Sequence, residues 1–180
     1  MRNFWLLTWT TYGTWLPGDR RGFVGRVREG ARVNGPRIEH DKFGTPYMAA
    51  LSGLERASVE KMLGSPIFLN VEQAQVVAAQ FCETAAYRGW LLKAGSVMRN
   101  HVHLVVGADE AIDPAKMLQS FKGYGSRALN QRWDQPASET WWTQSGSRRR
   151  LPTERAIAAG IRYVERQRGV LARCQTGTEH

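Results

Sequence analysis

Two of the four histidines of this 180-residue chain stand two positions apart in the stretch NHVHLVV, residues 100 to 106. A neutral imidazole offers one nitrogen lone pair to a divalent cation, so two converging imidazoles can begin a coordination site. In a β-strand the side-chain period of two puts His101 and His103 on one face and Val102 on the other. The spacing alone leaves a ligand pair and a satisfied structural pair both open, because two donors do not complete a site.

Several elements must hold that strand in place. WLLKAGSVM and HVHLVV read as two strands around an Arg-Asn turn, an antiparallel hairpin provided Gly95 is accommodated in the first strand. NFWLLTWTTYGTW is rich in aromatic and β-branched residues and predicts a strand through about Thr11, before Gly13, Pro17 and Gly18 impose turns. NVEQAQVVAAQFCETAAYRG carries its own helix punctuation: Asn70 as N-cap, Gln73 in the capping-box position and Gly89 as terminator. Asp113 and Pro114 open a further helix whose Met117, Phe121, Tyr124 and Ala128 share a stripe. A last helix is expected from about Pro152 to Gln167 with Ile157, Ile161 and Val164 as its apolar stripe, and Gly169 as its cap. From about residue 20 to 65 the chain reads as a basic, glycine-rich excursion with a short helix near 52 to 63. With no repeat and no linker, the order predicts one α+β domain over 1–180, an antiparallel sheet backed by helices.

Composition narrows the partner. Lys and Arg number 25 against 16 Asp and Glu, a net charge of +9, which favours a polyanion over an acidic small molecule. Cys82 and Cys174 are too few and too isolated for a disulfide framework or a structural zinc site, so a reduced, intracellular setting is the expectation. The N-terminal stretch lacks a signal-peptide pattern and no segment approaches 18 uninterrupted apolar residues. There is no GxGxxG after a strand and no GxxxxGK[ST], which excludes the Rossmann and P-loop nucleotide sites.

The stretches NHVHLVV, MLQSFKGYGSRALN and YVERQ, with TWTTYGTWLPGD at the start, together resemble the Y1 transposase superfamily. These are the single-tyrosine HUH endonucleases related to insertion-sequence and REP-associated tyrosine transposases. The resemblance spans most of the chain, with residues 25 to 65 contributing little. It implies that His101 and His103 are metal ligands, that Tyr163 is the nucleophile and that Gln167 completes the coordination of Mg²⁺ or Mn²⁺. It further implies cleavage and rejoining of single-stranded DNA, as a hairpin or terminal repeat, through a covalent 5′-phosphotyrosine. The residues are compatible with that transfer: four positions on a helix project Tyr163 and Gln167 from nearly the same face, and Tyr163 lies off the Ile157/Ile161 stripe. Tyr124, nearer the histidines in sequence, sits on a packing stripe instead.

This chain departs from the pattern in two places. Arg99 stands where many relatives have proline, and YVERQRG follows the insertion-sequence form rather than the asparagine-proline element of REP-associated relatives. Assembly of the site within one chain and the family's exchanged-helix homodimer therefore both stay open. Arg99, Lys116, Lys122, Arg127, Arg148, Arg149 and Arg150 are candidate phosphate contacts, and Trp141 and Trp142 are candidates for base stacking or buried anchoring. A noncatalytic nucleic-acid-binding module is the alternative, and a metal-bound structural adaptor a more remote one. A cytoplasmic, nucleoid-associated protein of a prokaryote, without membrane contact, is the expected setting.

Overall fold

The aromatic and β-branched run at the N-terminus forms β1 (Arg2–Thr10). Its alternation divides two cores: Trp5, Leu7 and Trp9 pack into one cluster, Phe4 and Leu6 into another. The computed structural model describes residues 1–16, 19, 26–28, 37–39 and 52–176. Most of the basic excursion read at 20–65 thus lies outside the described residues. Within it β2 (Arg26–Arg28) pairs antiparallel with β3 (Arg37–Glu39), and α1 (Ser52–Glu60) supplies the short helix expected there.

α2 (Val71–Arg88) begins and ends as its sequence dictates. The Asn70 side chain accepts from the Gln73 backbone N–H, the Gln73 side chain accepts from the Asn70 N–H, and Gly89 closes the helix at φ 66°. β4 (Leu91–Met98) and β5 (His101–Asp109) then form the expected hairpin around Arg99 and Asn100. Gly95 does not break β4 but is required in it. A Cβ there would meet Cys174 Sγ at 2.2 Å and Leu104 Cδ2 at 2.9 Å. α3 (Pro114–Asn130) opens on Asp113, whose carboxylate accepts from the Ala115 N–H at 2.8 Å.

Two short strands complete the sheet, β6 (Ser147–Leu151) and β7 (Val170–Cys174), giving five antiparallel strands in the order β6-β1-β5-β4-β7. Neither edge strand is announced by the sequence, because SRRRL and VLARC lack a clear polar/apolar alternation. Charge on an edge is how sheets discourage further pairing. α2 and α3 cover the face presented by Leu7, Leu104 and Val106, through Phe81, Met117 and Phe121. α4 (Glu154–Glu165) covers the other face, setting Ile157 and Val164 against Leu6, Val105 and Leu151. Each such side chain fully removed from water contributes roughly 1.5–3 kcal/mol.

α4 is shorter than the 152–167 expected. Thr153 caps it at one end and Arg166 is the C-cap at the other, so Gln167 lies beyond the helix. Gly169, expected as the cap, instead takes φ 68° in the turn leading to β7. Among the described residues no helix is long and apolar enough to cross a membrane.

Candidate active site

Since even-numbered residues of β5 such as Leu104 face α2 and α3, the odd-numbered ones face α4. His101 and His103 share that face, ring centroids 5.0 Å apart. Each is oriented from outside the pair. His101 Nδ1 lies 2.7 Å from Asn100 Oδ1, and His103 Nδ1 lies 2.7 Å from the hydroxyl of Thr8, its cross-strand partner on β1. Each imidazole is thus engaged through Nδ1 by a neighbouring side chain. Holding one ring nitrogen so that the other faces a ligand is the usual arrangement around metal-binding histidines. Burial, reinforced by the charge of His101, lowers the His103 pKa from 6.5 to about 3, so the ring is neutral near pH 7, as a ligand must be.

α4 brings Tyr163 to this pair. The Tyr163 ring centroid is 5.1 Å from that of His103, at an interplanar angle of 73°, and the residue is 48% exposed. Tyr124 is elsewhere. It lies on α3, across the sheet from the histidines, half-buried between the guanidinium groups of Arg88 and Arg127 at 5.9 and 5.5 Å. Gln167 folds back on the end of α4, its Nε2 donating to the Tyr163 carbonyl at 3.1 Å. The amide oxygen is then its donor atom toward a cation.

The family described as Transposase IS200 like matches residues 67–167, a stretch that holds His101, His103, Tyr163 and Gln167. The chain belongs to the IS200-like transposase family. Two solved structures resemble this IS200-like chain at a distance. One is a REP-associated tyrosine transposase bound to a REP hairpin, 10% identical, TM-score 0.47, aligned over 90% of this chain and 64% of its own. The chain thus spans less than two thirds of that protein's length. The other, from Deinococcus radiodurans R1 and described as a candidate transposase, is 15% identical, TM-score 0.43, aligned over 93% and 92%. No curated protein sequence matches the chain.

The basic residues singled out from the sequence do not gather on one surface. In β6 the register sets Ser147, Arg149 and Leu151 on the histidine face, paired with Thr8, Leu6 and Phe4, and turns Arg148 and Arg150 to the other. Arg150 donates to the Asn3 side-chain oxygen at 3.1 Å. Lys116 and Arg127 are exposed on α3, across the sheet from Tyr163. Lys122 is turned onto the protein itself. Its ammonium donates to the carbonyls of Thr143, Gln144 (3.0 Å) and Ser145 (3.3 Å), and burial lowers its pKa to about 8. Trp141 and Trp142 are anchors rather than stacking platforms. Both are buried, and their indole N–H groups donate to Asn130 Oδ1 at 2.7 Å and to the Lys122 carbonyl at 3.0 Å.

Arg99 occupies the hairpin turn two residues before His101, and its guanidinium lies 4.8 Å from the ring centroid of Phe68. Phe68 is 50% exposed and the sequence reading missed it, along with Thr8. The signal for Phe68 was its place outside the capping box of α2, where an apolar residue has no packing duty; Thr8 has no sequence signal, since only strand pairing brings it to His103. Among the described residues no three His, Cys, Asp or Glu side chains converge on a metal position. The candidate donors are the two imidazoles and, at the end of α4, the Gln167 amide oxygen. By donor chemistry such a set would suit a divalent cation that accepts nitrogen, Mn²⁺ more readily than Mg²⁺.

Proposed function

We propose that the chain cleaves and rejoins single-stranded DNA, folded as a hairpin, through a covalent bond between Tyr163 and a 5′-phosphate. The observation that carries the reading is the contact of Tyr163 with His103, in a chain of the IS200-like transposase family. The Tyr163 oxygen attacks the scissile phosphorus, forming the tyrosyl phosphodiester as the bond to the 3′-oxygen breaks. The phenol loses its proton and the departing oxygen gains one, so the step is neutral in protons and keeps one phosphodiester. A 3′-hydroxyl can reverse it and join an end.

The protein's part is placement. His101, His103 and the Gln167 amide oxygen would hold a divalent cation, which when bound polarises a nonbridging oxygen of the phosphate. Asn100 and Thr8 orient the two imidazoles. Arg99 contacts a phosphate of the strand beside the histidines, and Phe68 beneath it offers a face to a base. On this reading Tyr163 serves the histidine pair of its own chain, whose His103 ring it contacts.

Purified protein incubated with a panel of hairpin-forming single strands and Mn²⁺ tests this reading. It requires a denaturation-resistant adduct that maps to Tyr163; no adduct with any strand, with or without a divalent cation, rejects it in favour of a binding module.

A further inference from the structure

One polar row crosses the histidine face of the sheet. Cross-strand pairing aligns Ser147 with Thr8, Thr8 with His103, His103 with Ser96, and Ser96 with Arg173. Each of the five strands contributes one residue. Thr8 orients the His103 ring. The other half of the row does not reach the histidines; it reaches α4.

The fully buried Ser96 hydroxyl donates to the Val164 carbonyl at 2.8 Å. Arg173 donates through one terminal nitrogen to Ser96 Oγ at 3.2 Å and to the Val164 carbonyl at 3.5 Å, and through the other to the Glu165 carbonyl at 2.8 Å. These carbonyls belong to the last turn of the helix, where the regular intrahelical donors run out and the negative end of the helix dipole lies; the Val164 carbonyl also takes the Gln167 backbone N–H at 3.4 Å. Arg173 is exposed, yet both its terminal nitrogens are spent on this turn, which sets it apart from the arginines available to phosphate.

We propose that Ser96 and Arg173 are positioning residues for the cleavage reaction, a clamp on the last turn of α4 that aims Tyr163 at the phosphate held beside His103. The apolar contacts of Ile157 and Val164 dock the helix but specify its rotation weakly, since slightly turned helices still bury an apolar stripe. Each residue advances a helix by about 100°, so a small rotation or slide carries the Tyr163 oxygen off line while leaving the core buried. Hydrogen bonds to two successive carbonyls fix rotation and axial position together. Because Ser96 is the cross-strand neighbour of His103, the helix is referenced to the strand that carries the histidines.

The inference rests on Tyr163 being the nucleophile, and the test separates the two ideas. The full chain is prepared as wild type, Arg173→Met, Arg173→Lys, Ser96→Ala and Tyr163→Phe, with 3-fluorotyrosine incorporated. The fluorine resonance absent from Tyr163→Phe reports the ring against His103. Single-turnover adduct formation is followed with Mn²⁺ and the hairpin oligonucleotide that the wild type cleaves fastest; hairpin Kd, Mn²⁺ affinity and Tm are measured alongside. In Arg173→Met and Ser96→Ala the resonance should move and the adduct rate fall at least tenfold at saturating Mn²⁺, with the hairpin Kd within twofold of wild type. Arg173→Lys, which keeps the charge but donates from one nitrogen, should recover part of the rate. Adduct formation by Arg173→Met and Ser96→Ala at the wild-type rate overturns the clamp and leaves the nucleophile standing. A fall in rate that follows Tm while the resonance stays put also overturns it, as the mark of plain destabilisation. No adduct from the wild type with any oligonucleotide overturns the nucleophile reading, and the clamp's role with it.

Discussion

The ring of Tyr163 stands 5.1 Å from that of His103 and nearly perpendicular to it, a contact between the last turn of a helix and the third residue after a hairpin turn. Two segments remote in sequence thus meet where a phosphate could be engaged by both. Tyr163→Phe keeps the ring and its contact while removing the attacking oxygen. It should retain Tm and hairpin Kd but form no adduct, whereas Tyr124→Phe should cleave normally. Mass spectrometry of the trapped complex decides; an adduct on Tyr124 would reverse the assignment.

Thr8 has no part in the chemistry except through His103. Thr8→Val removes the oxygen beside Nδ1 and keeps the side-chain volume, so the imidazole can turn and change tautomer. Losing such an outer partner typically weakens metal binding about 10–100-fold. Mn²⁺ titration monitored by calorimetry or electron paramagnetic resonance should show that loss, and His101→Ala with His103→Ala should show no binding at the site.

Acid should weaken the fold through His103. Its pKa is about 3 in the folded chain and near 6.5 when unfolded, so between these values the unfolded chain binds the extra proton. Stability then falls as the pH drops from about 6.5 toward 3 and is level above that window. Urea unfolding at pH 7 and at pH 4.5 should differ by less in His103→Gln than in wild type. Equal pH dependence in the two would show that the ring is not held neutral by burial.

Arg99 and Lys122 should separate cleanly although both read as DNA contacts in the sequence. Arg99→Ala should lower the slope of log affinity against log salt by about 1. Lys122→Met should leave the slope alone and cost stability, roughly 1–3 kcal/mol, because three carbonyls lose their donor. Fluorescence anisotropy across a salt series, with denaturant melts of the same samples, checks both halves.

The thiols offer a prediction independent of DNA. A hydrogen bond from Cys174 lowers the Cys82 pKa to about 7, while the same contact and burial raise that of Cys174. Alkylation by iodoacetamide should therefore label Cys82 first, with a rate that rises through a midpoint near pH 7. Preferential labelling of Cys174, found by peptide mapping, would contradict this.

What the sequence revealed follows from where the relevant information is stored. The capping box of α2, the Asp113-Pro114 start of α3 and the β4–β5 hairpin are local, written in residues a few positions apart, and all are found. The convergence of His101 and His103 is also local, since strand periodicity supplies it. The meeting of Tyr163 with that pair depends on tertiary packing, and it was the family resemblance of YVERQ that anticipated it. β6 and β7 escaped because edge strands made of arginine, or of five residues after a helix, have little period-two signal. The roles of Thr8, Ser96 and Arg173 escaped for a deeper reason: they exist only as cross-strand neighbours, and register is set by pairing across the whole sheet. Lys122, Trp141 and Trp142 show the converse, residues whose type suggests nucleic acid and whose surroundings spend them on the protein itself.

α4 is joined through residues 152–153 to β6 and through residues 166–169 to β7, and these strands are the two opposite borders of the sheet. The helix that carries Tyr163 is therefore a crossbar bolted at both ends, with slack of only a few residues on either side. A second chain could borrow Tyr163 only by peeling away a border strand along with it, and peeling β7 would also carry off Arg173. On the reading proposed above, a DNA end then reaches this tyrosine by moving itself, while the tyrosine stays at home.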